Sequence, residues 1–248
     1  MSKLTDYKLL SFDVYGTLID WETGILKGLE PLTSQLSKQL SKKEILDIHL
    51  TLEDAQQQSN PTMLYYQVLA TVYPQFAEKI GVKTPTKEEA EHYGAQIGSW
   101  PAFPDTVDAL KRLSKFYKLV VLSNVDRESF AKSVSNPAGF DGFKFDKTFT
   151  AQDVGSYKPD LRNFEYMLKT VKEDFEVEKA QVLQTAQSQH HDHHPAKKMG
   201  IKSVWIERRG TMGNKDEAIF DWKFETMGDM ADAVEKEAAE KEAAEKKA

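Results

Sequence analysis

Apolar positions fall into short continuous runs, separated by longer stretches with helical spacing. The first run, Tyr7 to Val14, centres on Leu9, Leu10 and Phe12 and ends in Asp13-Val14-Tyr15-Gly16-Thr17. A near-continuous apolar run that stops at Asp and Gly predicts a strand buried on both faces that feeds a loop. A second run, Lys118 to Leu122, leads into Ser123-Asn124. Pro104-Asp105 opens a helix before it, with Val107, Leu110 and Leu113 as the apolar stripe. Lys147 to Thr150, Val182 to Thr185 and Ser203 to Ile206 predict three more strands. Helical stretches lie between, including Arg162 to Val171 and Pro195 to Met199. This alternation predicts an α/β fold built on a doubly wound parallel sheet.

The first two strands are too far apart for a plain version of that fold. A strand–helix–strand unit needs about 30 residues, which leaves roughly 70 to 80 extra between them. The extra stretch has helical spacing: Leu29, Leu32, Leu36 and Leu40, then Ile45, Ile48, Leu50 and Leu52, then Met63 to Val72. We therefore expect an α/β core from residues 1–19 and 101–232, and a smaller helical domain from residues 20–100. Residues 233–248 are Ala, Glu and Lys almost throughout. That composition suits a solvated helix, but its face is too weakly apolar to pack strongly, and a frayed or disordered tail is the simpler expectation.

Composition narrows the function classes. The 248 residues carry 33 Lys and Arg against 39 Asp and Glu, a net charge of −6. A nucleic-acid partner, which calls for a basic face, is not expected. The chain has no cysteine, which excludes a disulfide scaffold, a thiolate zinc site and a Cys nucleophile. No apolar run reaches the roughly 18 residues needed to span a bilayer, so no membrane role is expected. The start, Met1-Ser2-Lys3-Leu4-Thr5-Asp6, lacks the plan of a signal peptide, which makes the cytoplasm the default location.

Ligands in open α/β sheets bind beyond the carboxyl ends of the strands. Four polar clusters fall at such ends: Asp13 with Thr17, Ser123 with Asn124, Lys158 in Tyr157-Lys158-Pro159-Asp160, and Asp192 in the segment after Leu183. Each has a structural alternative: Thr17 or Asp20 as a helix cap, Lys158 as a solvated loop residue, Asp192 as a turn or cap residue. His190, His191, His193 and His194 surround Asp192. Consecutive residues rarely converge on one ion, so no specific metal site is expected there. Trp21, Tyr65, Tyr66, Tyr73 and Trp100 are candidates for lining a small apolar pocket, although aromatics at helical spacing more often form core.

The segment Phe12-Asp13-Val14-Tyr15-Gly16-Thr17-Leu18 resembles the first motif of the haloacid dehalogenase superfamily. Leu122-Ser123-Asn124 is similar to its second motif, and Lys158-Pro159-Asp160 to its third. Asp192-His193-His194-Pro195-Ala196-Lys197-Lys198-Met199-Gly200 resembles the segment around its last motif Asp. The order and spacing agree over about 200 residues, and the insertion after the first motif is where this family carries a helical cap. Phosphatases of the superfamily usually have an Asp where Tyr15 stands and another, for magnesium, where Gln187 stands. Tyr15-Gly16-Thr17 is instead similar to the L-2-haloacid dehalogenase branch, which uses neither metal nor other cofactor.

The resemblance implies a small 2-haloacid substrate and Asp13 as the nucleophile that displaces halide to form an ester. It implies Lys158 as the cation that keeps Asp13 ionised, Thr17 as its orienter and Asp192 as the group that activates water. Ser123 and Asn124, with backbone N–H groups near residues 15 and 16, are then expected to hold the substrate carboxylate, next to Tyr15, Gln187 and Gln189. The branch usually also has a cap Arg, a Tyr at the position of Phe164, and Ser and Asn at those of Gln187 and Gln189. Here no Arg precedes Arg112, so the available replacement is a neutral cap or a Lys such as Lys38, Lys42 or Lys43. Dimers are common in the branch, and nothing in the sequence requires one. Two alternatives stay open: a magnesium-dependent phosphatase of the same superfamily, and a weakly active member kept as a binding protein.

Overall fold

The computed structural model describes residues 2–210 and 217–246. Six strands form one parallel sheet: β1 (Leu9–Phe12), β2 (Lys118–Ser123), β3 (Lys147–Thr150), β4 (Val182–Ala186), β5 (Lys202–Ile206) and β6 (Trp222–Phe224). Their order is β3-β2-β1-β4-β5-β6, so the chain winds one way from β1 to β3 and the other way from β4 to β6. The crevice beyond the end of β1, where the winding reverses, is where such sheets bind ligands.

The continuous apolar runs follow from burial on both faces. In β1, Leu9 belongs to one apolar layer, while Leu10 and Phe12 belong to the other. In β2, Val120 and Leu122 share the layer of Leu9, and Leu119 and Val121 the opposite one. Phe164, Met167 and Val171 cover the Leu9 side; Ala109, Leu110 and Leu113 cover the other. β6 has no counterpart in the sequence reading. It is a three-residue edge strand with incomplete burial, so it leaves little apolar signal.

Between β1 and residue 100 lie four α-helices and no strand: α1 (Trp21–Thr33), α2 (Lys42–Ser59), α3 (Tyr65–Ile80) and α4 (Lys87–Ala95). Asp20, Ser41 and Thr86 cap three of them through side-chain oxygens. The other helices are α5 (Thr106–Leu113), α6 (Arg127–Ser135), α7 (Ala151–Val154), α8 (Leu161–Phe175), α9 (His194–Met199) and α10 (Met227–Glu245).

The C-terminal expectation needs correction. The Ala/Glu/Lys segment continues a helix that begins at Met227 and runs to Glu245. Buried Met227, Met230, Ala231 and Val234 anchor its first turns, and Arg112 of α5 pairs with Asp232 and Glu235. The apolar anchor lies mostly upstream of the charged repeat, which is why the repeat alone read as unanchored. No helix among the described residues is long and apolar enough to cross a membrane.

Candidate active site

Asp13 extends the ladder past β1: its N–H donates to Thr185 O at 3.1 Å. The chain then turns back, with the N–H groups of Thr17, Leu18 and Ile19 all donating to Val14 O. Gly16 makes the turn at φ +100°, and a Cβ there would come 2.9 Å from Trp21 Nε1. The turn brings Thr17 Oγ1 to 2.7 Å from Asp13 Oδ2. Thr17 Oγ1 also accepts the Gln187 N–H at 2.9 Å, which ties the loop after β4 to the loop after β1.

Lys158 enters from the loop between α7 and α8 and is only 2% exposed. Its ammonium donates to Asp13 Oδ1 at 3.0 Å, Asp192 Oδ1 at 2.7 Å and Leu122 O at 2.8 Å. Three acceptors match the three protons of an ammonium. Burial opposes that charge, but Asp13 and then Asp192 outweigh it and hold the Lys158 pKa above its ordinary value. Asp192 is fully buried, and burial pushes its pKa up, to about 7, against the pull of Lys158; the charge on Asp13 adds to the rise. Gln184 Nε2 also donates to Asp192 Oδ1, at 2.9 Å, while Asp192 Oδ2 accepts no protein hydrogen bond.

These groups open onto a cavity of about 470 Å³. Asp13, Tyr15, Ser123, Asn124, Lys158, Gln187 and Asp192 line it from the sheet side. The helices between β1 and β2 contribute Trp21, Glu53 and Tyr65 among others. Tyr15 stacks on Tyr65 with ring centroids 6.4 Å apart, and its hydroxyl lies 3.1 Å from Ser133 Oγ. Burial keeps this phenol well above its usual pKa.

Several expected residues are placed differently. Gln189 does not reach the cavity: it is fully buried and its Oε1 accepts the Ile219 N–H at 2.9 Å. Asn124 lines the cavity, but its side chain is bound to the Lys158 backbone, donating to Lys158 O at 3.0 Å and accepting Lys158 N–H at 2.7 Å. It therefore positions the Lys158 loop. The Gly16 N–H donates to Ile19 O at 2.8 Å, so it is engaged within its own turn. Ser123 Oγ, by contrast, is buried without a protein partner. Lys38, Lys42 and Lys43 do not line the cavity, and Lys43 pairs with Asp47.

The histidines divide. His190 and His191 line the cavity. His193 is buried beneath it, donating from Nε2 to Ala186 O and accepting from the Ser203 hydroxyl at Nδ1, both at 2.9 Å. Tyr66, Tyr73 and Trp100 lie outside the cavity lining; Tyr73 stacks on Tyr93, and Trp100 meets Tyr15 edge-on. Arg208 escaped the sequence reading. Buried beside Asp105 at 2.6 Å, it donates to Thr17 O at 2.9 Å and braces the first loop from behind.

The fold and site define a Rossmann-like α/β protein with a carboxylate–ammonium–carboxylate centre at its topological switch point. The haloacid dehalogenase-like hydrolase family matches residues 7–183, and the chain belongs to that family. Among solved structures, an L-2-haloacid dehalogenase from Xanthobacter autotrophicus is 17% identical, with a TM-score of 0.75 over 92% of this chain and 98% of that one. A defluorinating L-2-haloacid dehalogenase is 14% identical, with a TM-score of 0.75 over 93% and 97%. A phosphatase of the superfamily from Thermococcus onnurineus is 22% identical, with a TM-score of 0.57 over 92% and 97%. No curated protein matches the sequence.

Proposed function

We propose that this hydrolase cleaves the carbon–halogen bond of small L-2-haloacids through an ester on Asp13. The observation that carries the reading is the ammonium of Lys158 bridging Asp13 and Asp192, with Tyr15 and Gln187 beside them. An Asp13 oxygen attacks C2 of the substrate, and the carbon–halogen electron pair leaves with the halide. In-line displacement inverts that carbon. Asp192 then takes a proton from water, which adds to the Asp13 carbonyl carbon. Collapse expels the substrate oxygen, which receives the proton, giving the 2-hydroxy acid and a regenerated Asp13. Lys158 balances the carboxylate charges throughout; in this reading the hydroxyl of Ser123, which has no protein partner, donates to the substrate carboxylate. A structure carrying chloropropionic acid covalently bound, from the Xanthobacter dehalogenase, is among the fold relatives.

The donor set does not fit magnesium. That ion prefers hard carboxylate oxygens, whereas Gln187 offers an amide and the Lys158 ammonium already bridges the two carboxylates. Tyr15 stands where phosphatases of this superfamily place an acidic proton donor.

The test is halide release from L-2-chloropropionate with chelator present, beside phosphate release from an aryl phosphate with and without magnesium. Halide release that survives chelation is expected. Magnesium-dependent phosphate release without halide would support the phosphatase alternative, and neither activity from a folded protein would support a binding role.

A further inference from the structure

The cavity wall supplied by α2 carries Asp47, Glu53 and Asp54 and no cation. Glu53 differs from its acidic neighbours in being buried, at 8% exposure. Its Oε1 accepts from Tyr65 Oη and Gln57 Nε2, each at 2.9 Å. Its Oε2 accepts no hydrogen bond and lies 3.5 Å from Nδ1 of fully buried His49, whose Nε2 meets the Tyr93 hydroxyl at 2.8 Å. Through Tyr65 this carboxyl reaches the ring of Tyr15, next to Asp13.

The surroundings of Glu53 make its charge conditional. Facing it are His49, Asp54 and Gln57 from α2, Tyr65 from α3, Tyr93 from α4 and Tyr157 from the loop before α8. Asp13, Asp192, Lys158, His190 and His191 share the cavity with it. None of the groups packed directly on it is a Lys or Arg, and burial keeps His49 neutral, with its pKa lowered to about 3. Burial pushes the Glu53 carboxyl up to about 7, with Asp54 adding to the rise and the bonds from Tyr65 and Gln57 opposing it.

We propose that Glu53 is the specificity-determining residue of this pocket: protonated, it admits an anionic 2-haloacid; ionised, it repels the substrate carboxylate and makes an uncharged 2-haloamide the better substrate. The inference rests on the dehalogenase reading above. Its physical content is linkage: a proton on Glu53 and an anion in the same cavity favour one another, and each strengthens the other's binding equally.

The experiment compares kcat/KM for L-2-chloropropionate and L-2-chloropropionamide in the full chain from about pH 5.5 to about pH 8.5. The acid-to-amide ratio is expected to fall about ten-fold through one ionisation, the scale of one nearby charge in a partly polar site. In Glu53→Gln the fall should shrink, leaving only the part that ionisation of Asp192 in the same cavity contributes. In Tyr65→Phe, which removes a hydrogen bond favouring the carboxylate, the midpoint should move to higher pH; this variant carries the test if Glu53→Gln does not fold. A constant ratio in the unaltered protein, an unchanged fall in Glu53→Gln, or an unmoved midpoint in Tyr65→Phe would overturn the inference while leaving the dehalogenase reading intact. No halide from either compound at any pH would overturn both.

Discussion

Lys158 Nζ donates to Asp192 Oδ1 at 2.7 Å across 34 residues of sequence, with both side chains almost wholly buried. The same nitrogen reaches Asp13, so one cation compensates two carboxylates. Replacing Lys158 by Met is therefore expected to leave buried negative charge unmatched, at a cost of about 3–5 kcal/mol near neutrality. The loss should shrink in mild acid, where a carboxyl with a raised pKa takes up a proton. Denaturant unfolding of the variant at about pH 5 and about pH 8 checks this; equal losses at both would show that the ammonium does not compensate these carboxylates.

Asp13→Asn keeps the shape of the side chain and removes the nucleophile. Turnover should fall by a factor of about a thousand or more with the fold intact. In heavy-oxygen water, repeated turnover by the unaltered protein should label Asp13, as mass spectrometry of its peptide would show. Labelled product from an unlabelled Asp13 would mean that water attacks the substrate carbon directly.

Burial lowers the His193 pKa to about 4, outweighing its bond to Ala186 O. The unfolded chain binds this proton first as pH falls, so stability from neutral His193 is full above the ordinary His pKa and is lost on acidification towards about 4. Relative to His193→Gln, the unaltered protein should lose up to roughly 3 kcal/mol over that interval. Urea midpoints of the two proteins between about pH 7 and about pH 4 measure it; parallel curves would show that His193 is not held neutral.

Gln187 lines the same cavity as Asp13, and its N–H fastens the Thr17 loop. Gln187→Asp should add the hard oxygen ligand that the site lacks and give measurable magnesium affinity, where the unaltered chain shows little. Titration calorimetry of both proteins decides it; no gain in the variant would place this side chain too far from Asp13 to share an ion.

Much of the site could be read in advance because its parts sit where buried strands stop. Asp13 and Ser123 end apolar runs, and a polar residue at that point is conspicuous. Gln184 was a comparable signal that went unread. It interrupts the apolar run of a fully buried strand, and its amide holds Asp192. Glu53 gave no such signal, since an acidic residue on an amphipathic helix usually faces solvent. Only the packing of Tyr65, His49 and Tyr93 around it makes it a buried carboxyl. Gln189 was misplaced for a related reason: its position in sequence is right for the cavity, but its side chain turns to Ile219.

By itself the sequence determined the alternation of strands and helices, the long helical insertion after the first strand, and the identity of the polar residues at strand ends. These are local properties, set by burial on one or both sides of each segment. The tertiary structure decided which of those residues meet, that the pocket wall supplied by α2 is acidic where a neutral or Lys-bearing cap was expected, and that the C-terminal helix docks through Met227, Met230 and Val234. It also decided the charge states of Asp192, Glu53 and His193, because burial and the company of distant side chains set a pKa, and neither can be read from neighbours along the chain.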